Sequence, residues 1–226
     1  QTTPYADSIV ENDISELLVA TRSGRLWYTT ETEPGINCLS VEFDSESKSP
    51  PPANHFEHDP IDEKSIADNN ITDFIEDSAG HIWIGTGQNG ISFLSFVKSK
   101  FTHHRYDQEN EWGLKSDKIY SITTMTDGMM WAATGFGLEM LSPDGIREYD
   151  YEKSVLGVNY IIDLEIVNDE NLWVGTDQGV LKINTMTDMI TRFSKSDTIP
   201  ESRRLSDNLI HDILPINDKI WVATGS

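Results

Sequence analysis

A short phrase recurs five times along the chain: a tryptophan or leucine, an aliphatic residue or alanine, a small residue, and then threonine. The copies begin at Leu18, Trp83, Trp131, Trp173 and Trp221. The last three intervals are 48, 42 and 48 residues. A repeat of this length is typical of folds that stack copies of one supersecondary unit, and such folds bind more often than they catalyse.

The second copy shows what each unit contains. Residues 71–77, 82–86, 91–97 and 101–106 are short runs rich in β-branched and aromatic residues, separated by glycine-containing turns. No helical period is sustained, so helix is expected to be nearly absent. Four antiparallel strands in a unit of some forty residues are typical of a β-propeller blade.

The sequence therefore predicts an all-β chain with four-stranded antiparallel blades, forming one partial β-propeller over residues 1–226. The approximate blade bounds are 1–45, 65–107, 114–150, 158–195 and 205–226, the last of them incomplete. Because about four and a half blades leave open sheet edges, we expect the chain to be part of a larger propeller. The alternative is that a second copy, or strands from elsewhere in the parent, close the arc.

The spacing between the first two copies of the phrase is longer than the others, which predicts an inserted loop at 46–64. A lengthened outer hairpin is one interpretation of this insert, and a binding or dimer-contact loop is the other. His55, His58 and Asp59 lie close together in it, but they have no fourth partner. No metal site is therefore assigned there.

Charge excludes several partners. The chain has 38 Asp plus Glu against 17 Lys plus Arg, a formal net charge of −21. This balance opposes binding to nucleic acid or to an anionic membrane surface, and no apolar run is long enough for membrane insertion by this segment. The lone Cys38 excludes an internal disulfide and a cysteine-based zinc site.

Residues 71–90 contain the pattern Ile-x-Asp-apolar-x-Glu-Asp-x-x-Gly-x-Ile-Trp-Ile-Gly-Thr-x-x-x-Gly. This pattern resembles the two-component regulator propeller repeat, as do the lead-in segments 66–70, 114–118 and 205–208. The resemblance covers roughly 65–226 and, more loosely, 1–30. It implies the periplasmic sensor portion of a bacterial inner-membrane signalling protein, with a histidine kinase or diguanylate cyclase output and a homodimeric parent.

The tryptophans of the phrase have a structural interpretation. Alternate residues of a strand share a face, so each ring lies beside the small residue two positions further on. This pairing lets the next sheet approach closely. We expect Trp83, Trp131, Trp173 and Trp221 to be structural, with sugar stacking as the alternative.

The third position of each predicted first strand is small and polar, and in a propeller this strand lines the central channel. The residues of this predicted channel ring are Asp7, Asp73, Ser121, Asp163 and Asp212. One interpretation is that they accept backbone hydrogen bonds and connect blade to blade. The other is a polar-ligand or cation site, for which oxygen ligands suit calcium.

A second candidate surface, the channel-mouth surface, is predicted from the loops that join second to third strands and from the inter-blade loops. Its residues are Arg22, Gln88, Asn89, Trp112, Phe136, Asp177 and Gln178. Exposed aromatic rings with amides and carboxylates suit an oligosaccharide or another small molecule. The alternative is that Trp112 and Phe136 pack against neighbouring blades.

Known catalytic motifs, such as G-x-S-x-G, H-E-x-x-H and a glycine-rich phosphate loop, are absent from the sequence. The leading hypothesis is a non-catalytic sensor module that binds a small molecule, an oligosaccharide or a partner, needs no cofactor, and signals through other blades and domains of its parent. The alternatives are an assembly scaffold without its own ligand and a propeller lyase or hydrolase.

Overall fold

The computed structural model describes residues 14–20, 24–30, 33–40, 53–95, 100–109, 113–142, 145–149, 160–196 and 200–225. Within these ranges the chain forms eighteen strands and one 3-10 turn, Glu201–Arg203. None of the helical structure found there has the length and apolar character needed to cross a bilayer.

The strands form five antiparallel sheets, and within each sheet they pair in chain order. The first sheet contains β1 (Ile14–Ala20), β2 (Arg25–Thr30), β3 (Ile36–Ser40) and β4 (Ala53–Phe56). The second contains β5 (Ile71–Glu76), β6 (Ile82–Thr86), β7 (Ile91–Ser95) and β8 (Lys100–His104). The third contains β9 (Ile119–Thr124), β10 (Met130–Thr134), β11 (Leu138–Ser142) and β12 (Gly145–Tyr149).

The fourth sheet contains β13 (Ile161–Val167), β14 (Asn171–Thr176), β15 (Gly179–Asn184) and β16 (Ile190–Phe193). The fifth has two described strands, β17 (Ile210–Ile216) and β18 (Lys219–Thr224). The first strands β5, β9, β13 and β17 are successive neighbours, so the sheets pack side by side along one inner edge. This arrangement confirms the predicted all-β fold of propeller blades.

The threonine of the phrase closes the turn that follows the second strand. The Thr86 hydroxyl donates to the carbonyl of Gly90 at 2.7 Å, and Thr176 makes the same bond to Gly179 at 2.7 Å. Gly90 has a φ of +76°, and a Cβ there would lie 2.1 Å from the carbonyl oxygen of His104. Glycine is therefore required at this turn.

The core lies between successive sheets. The buried Trp27 of the first sheet packs with Phe74 and Ile84 of the second, and Trp131 of the third packs with Leu164 of the fourth. A Cβ added to Gly85 would lie 2.8 Å from Cγ2 of Ile119 in the next sheet. The small residue of the phrase therefore sets how closely two blades approach.

The first copy of the phrase was predicted at Leu18, and this prediction is wrong. Leu18 lies in β1, where it pairs with Tyr28, and Val19 pairs with Trp27 of β2. In the second sheet Ile75 pairs with Trp83 in the same way, so Trp27 holds the tryptophan position of the first sheet. The sequence does not indicate this role of Trp27, because Thr29 stands two positions further on, where the other copies have glycine or alanine.

The predicted inserted loop at 46–64 also needs correction. Residues 53–56 form β4, which pairs with β3 and completes the first sheet. The aromatic ring of Phe56 stacks on Trp27 at 5.7 Å between centroids and meets Phe101 edge-on at 5.7 Å. This burial of aromatic surface holds β4 on the sheet, although polar residues surround Phe56 in the sequence.

Candidate functional site

Four residues of the predicted channel ring occupy equivalent places on the inner strands. Asp73, Ser121, Asp163 and Asp212 pair respectively with Gly85, Ala133, Gly175 and Ala223, the small residues of the phrase. In β5, β13 and β17 a register shift precedes the aspartate. Such bulges re-aim side chains. Asp7 lies outside the described residues, and the inner strand of the first sheet begins after it, at Ile14.

Three of these side chains accept hydrogen bonds from the following sheet. The backbone amide of Ile122 donates to Asp73 Oδ2 at 2.6 Å, that of Leu164 to Ser121 Oγ at 3.2 Å, and that of Ile213 to Asp163 Oδ2 at 2.7 Å. The second oxygen of each aspartate accepts the amide of the next residue in its own strand, as in Phe74 to Asp73 Oδ1 at 2.8 Å. Asp73, Ser121 and Asp163 thus connect β5 to β9, β9 to β13 and β13 to β17.

The inner face of the sheets, which carries Asp73, Asp163, Glu165 and Asp212, is strongly acidic. Burial restricts the access of water to the carboxyl groups of Asp73, Asp163 and Glu165. Burial raises the pKa of Asp73 to about 7 and also raises the pKa of Asp163. Burial, together with the charges of Asp163, Asp73 and Asp212, raises the pKa of Glu165 to about 8. Near neutral pH, Glu165 therefore carries a proton and can donate a hydrogen bond.

Glu165 is the residue of this face that the predicted ring omits. It lies two residues beyond Asp163 on β13, so both project to one side of the sheet. The signal for it was a single glutamate in an otherwise apolar stretch, Leu164-Glu165-Ile166. In the part of the chain that the structure describes, no three or more His, Cys, Asp or Glu side chains are arranged to hold a metal ion.

The described residues of the predicted channel-mouth surface lie in the turns after β6, β10 and β14. Phe136 is 52% exposed, Gln88 is exposed, and Asn89, Asp177 and Gln178 are half-buried. Among the described residues, no hydrogen bond or ring contact joins the side chains of these three turns to one another. Arg22 and Trp112 lie outside the described residues.

Tyr160 lies on the same side of the sheets, and the sequence prediction omitted it. It is 58% exposed and directly precedes β13. Its backbone amide donates to Asp177 Oδ1 at 3.4 Å, and its carbonyl accepts from the Asp177 amide at 3.3 Å. The turn after β14 is thereby joined to the segment that enters the same sheet.

The lead-in segments have a structural role of their own. Asn69, Asp117 and Asn208 each accept a backbone amide two residues beyond a fourth strand. The donors are His58 at 2.7 Å, Tyr106 at 2.6 Å and Lys195 at 2.6 Å. One side chain per segment thus fixes the crossing from one blade to the next.

The Glu-Asp-x-x-Gly-x-Ile-Trp portion of the second repeat forms a closed turn around Asp77. One carboxylate oxygen accepts the amides of Ala79 and His81, and the other accepts His81 Nδ1 and Trp83 Nε1. Burial opposes ionisation, but the hydrogen bonds from His81 and Trp83 hold the pKa of Asp77 below its usual value. These hydrogen bonds orient the Trp83 ring and occupy both carboxylate oxygens of Asp77, so this side chain is not available for catalysis.

The histidines of the predicted insert diverge. His55 Nδ1 lies 3.0 Å from Asn37 Oδ1 within the first sheet, whereas His58 Nδ1 donates to the Ile66 carbonyl at 2.9 Å. Their rings have separate partners, so the sequence proximity of His55, His58 and Asp59 does not create one metal site.

The family model described as "Two component regulator propeller" matches residues 65–88. The match contains the lead-in segment, β5, the Asp77 turn and β6. This finding confirms the resemblance inferred from the sequence. A search of curated proteins gave no significant match.

Solved structures share the fold. The extracellular domain of BT3049 from B. thetaiotaomicron, described as a hybrid two component system, has a TM-score of 0.72 and 19% identity, covering 95% of this chain and 28% of its own. The extracellular domain of BT4673 from the same organism has a TM-score of 0.70 and 19% identity, covering 94% and 28%. This chain therefore spans less than a third of either domain.

A third similar structure is virginiamycin B lyase from Staphylococcus aureus, with a TM-score of 0.62 and 20% identity over 91% of this chain and 61% of the lyase. At these identities the likeness is one of fold, which a lyase and the extracellular domains of two component systems share. The chain carries a two-component regulator propeller repeat at residues 65–88, and its sheets are the blades of a β-propeller.

Proposed function

We propose that the chain is part of a non-catalytic, periplasmic sensor propeller that binds an extracytoplasmic small molecule, oligosaccharide or partner and couples it to a kinase or cyclase in its parent. The observation that carries the proposal is the two-component regulator propeller match at residues 65–88. Further support comes from two extracellular domains that share the fold over 94% or more of this chain.

The ligand surface we propose is the channel-mouth surface, extended by Tyr160. Phe136 and Tyr160 belong to adjacent blades, and each keeps more than half of its surface exposed. The exposed faces of these rings are free to stack on sugar rings. Gln88, Asp177 and Gln178 supply polar groups on the same side of the sheets.

The parent supplies the partners in this proposal. Leu214, Ile216 and Trp221 of the fifth sheet are 50%, 45% and 60% exposed, whereas Trp131 of the third sheet is 3% exposed under its neighbour. A further blade of the parent would cover this face as the fourth sheet covers Trp131. Dimerisation of the parent then carries the signal across the membrane.

The test is a glycan array probed with the 226-residue chain and a Phe136→Ala/Tyr160→Ala variant. We expect the double variant to lose glycan binding while its melting temperature stays unchanged. The control is Met186→Ala/Met189→Ala, which alters exposed side chains, 77% and 70%, at the β15–β16 turn on the opposite edge. Equal binding by the chain and the double variant would remove this surface from the proposal.

The second candidate is a propeller lyase or hydrolase, favoured by the likeness to virginiamycin B lyase. An enzyme of that kind would release product in a substrate screen, with a catalytic residue whose loss abolishes turnover. A scaffold without its own ligand is the third candidate. It predicts neither turnover nor glycan binding but retains assembly with the rest of the parent.

A further inference from the structure

A polar cavity of about 350 Å³ lies beside the outer strand of the second sheet. Three parts of the chain line it: the inter-sheet segment 58–67, the turn residue Asn89, and His103 with Arg105 at the end of β8. Its volume is within the range of small-molecule sites. It contains none of the channel-mouth aromatic residues and shares only Asn89 with the channel-mouth surface.

Buried hydrogen bonds hold the wall of this cavity in place. Ser92 is fully buried, and its hydroxyl oxygen accepts the Ala67 amide at 3.0 Å. The same hydroxyl lies 3.1 Å from His103 Nδ1, while His103 Nε2 lies 3.2 Å from the Glu63 carbonyl. Because a carbonyl only accepts, Nε2 carries the proton and Ser92 donates to Nδ1. The wall is therefore preorganised.

The cavity brings together opposite charges that do not neutralise one another. Three acidic residues, Asp59, Asp62 and Glu63, are among its lining residues, together with Arg105. Arg105 has no ion pair or hydrogen bond with another described residue. Burial lowers the pKa of His103, so at neutral pH the ring adds no positive charge. The lining thus carries two more negative charges than positive ones.

The carboxylates keep free oxygen atoms. Oδ1 of Asp59 accepts the Ile61 amide at 2.9 Å, and Oδ1 of Asp62 accepts the Lys64 amide at 3.0 Å. These turn bonds fix the carboxylates, while Oδ2 of each has no described partner. His58 donates from Nδ1 to the Ile66 carbonyl at 2.9 Å, which fixes its ring in the wall. The cavity therefore offers several acceptors and one cationic donor group.

We propose that this cavity binds a basic α-amino acid. The α-carboxylate pairs with Arg105, which presents the forked donors that a carboxylate prefers, and the two ammonium groups meet Asp59, Asp62 and Glu63. A ligand with one negative and two positive groups matches both Arg105, which has no ion pair within the described part of the chain, and the excess of carboxylates. An apolar ligand would leave these charges desolvated and unpaired.

The test is isothermal titration calorimetry of the 226-residue chain with L-lysine, cadaverine and L-leucine. Cadaverine keeps both ammonium groups but lacks the carboxylate, and L-leucine lacks the side-chain ammonium. We expect L-lysine to bind more tightly than either. Arg105→Gln should weaken L-lysine binding about tenfold or more and leave cadaverine binding unchanged, since a charged hydrogen bond is lost only for L-lysine.

Asp62→Asn should weaken L-lysine and cadaverine alike, and it keeps the oxygen that accepts the Lys64 amide. The matched control is Arg203→Gln, which removes an exposed arginine that does not line the cavity and should bind L-lysine as the unaltered chain does. Melting temperatures of all variants establish that each is folded. Absence of L-lysine binding, or equal effects of Arg105→Gln and Arg203→Gln, would overturn the proposal.

Discussion

The carboxylate of Asp163 accepts a 2.7 Å hydrogen bond from the backbone amide of Ile213, one sheet further along the chain. Asp73 bonds Ile122 of the third sheet in the same way. Ser121 does so more weakly, because its hydroxyl oxygen accepts the Leu164 amide at 3.2 Å. What the repeat requires at this position is an acceptor that reaches the next inner strand, and either residue type provides one.

The first prediction concerns this connection. Asp73→Ala leaves the amides of Phe74 and Ile122 without their acceptor, so we expect a loss of about 2–3 kcal/mol in the free energy of unfolding, measured in urea. Asp73→Asn keeps an acceptor oxygen and should cost less than about 1 kcal/mol. The matched control is Asp212→Ala, because Asp212 bonds only Ile213 of its own strand among the described residues. An equal loss for Asp73→Ala and Asp212→Ala would contradict the blade-to-blade role.

The second prediction concerns Glu165 and pH. Its pKa is raised from 4.5 to about 8, so the folded chain binds the proton more tightly than the unfolded chain. The unfolded state therefore binds fewer protons between these values, and the contribution of Glu165 to stability falls as pH rises through this window. The cause is that burial in the folded chain destabilises the ionised form of Glu165.

Glu165→Gln replaces the carboxyl by a neutral group of similar shape. It should match the unaltered chain near pH 5 and exceed it at pH 8.5 by on the order of 1–2 kcal/mol, since partial exposure reduces the effect. Urea unfolding at the two pH values measures this. Glu63→Gln, a change at an exposed glutamate outside the inner face, is the control and should show no such pH dependence. A difference that is the same at both pH values would refute the assignment.

The third prediction concerns the turn around Asp77. Its pKa lies below the usual value, so its stabilising contribution is present above the unfolded-state pKa and disappears as pH falls through the folded-state pKa. Asp77→Ala should cost about 2–4 kcal/mol at neutral pH, because His81 and Trp83 lose their acceptor. Asp127→Ala is the control: Asp127 is exposed and accepts the Met129 amide. Thermal unfolding should separate the two variants clearly.

The sequence predicts the blades well because the phrase combines the alternation of faces along a strand with the requirements of the turn that follows the strand. Trp83 and Gly85 share one face of β6, and Thr86 must close the next turn, so three of four consecutive positions are constrained at once. It fails in the first sheet, where Thr29 stands at the small position and the phrase matches β1 instead. Pairing of β1 with β2 decides the register, and pairing between strands is a tertiary property.

The candidate site was harder to predict than the fold. The repeat spacing predicts Asp73, Asp163 and Asp212 as equivalent residues. The spacing does not indicate which backbone amides donate hydrogen bonds to their carboxylates. Glu165 and Tyr160 have no counterpart in the other repeats, so no pattern selects them. The cavity near Arg105 is lined by residues of the segment 58–67 and by residues at the end of β8. These residues are far apart in the sequence, so only folding brings His58 close to His103.

The last prediction compares two tryptophans at the same position of the repeat. Trp131 is 3% exposed and packs with Leu164 of the fourth sheet, so Trp131→Ala should cost about 3–5 kcal/mol. Trp221 is 60% exposed on the face of the fifth sheet, and Trp221→Ala should cost less than about 1 kcal/mol in the 226-residue chain. Urea unfolding of both variants measures the difference. In a longer parent of the kind proposed above, the cost of Trp221→Ala should rise towards that of Trp131→Ala, because a further blade would bury the ring. If the cost stays below about 1 kcal/mol there, no blade covers this face.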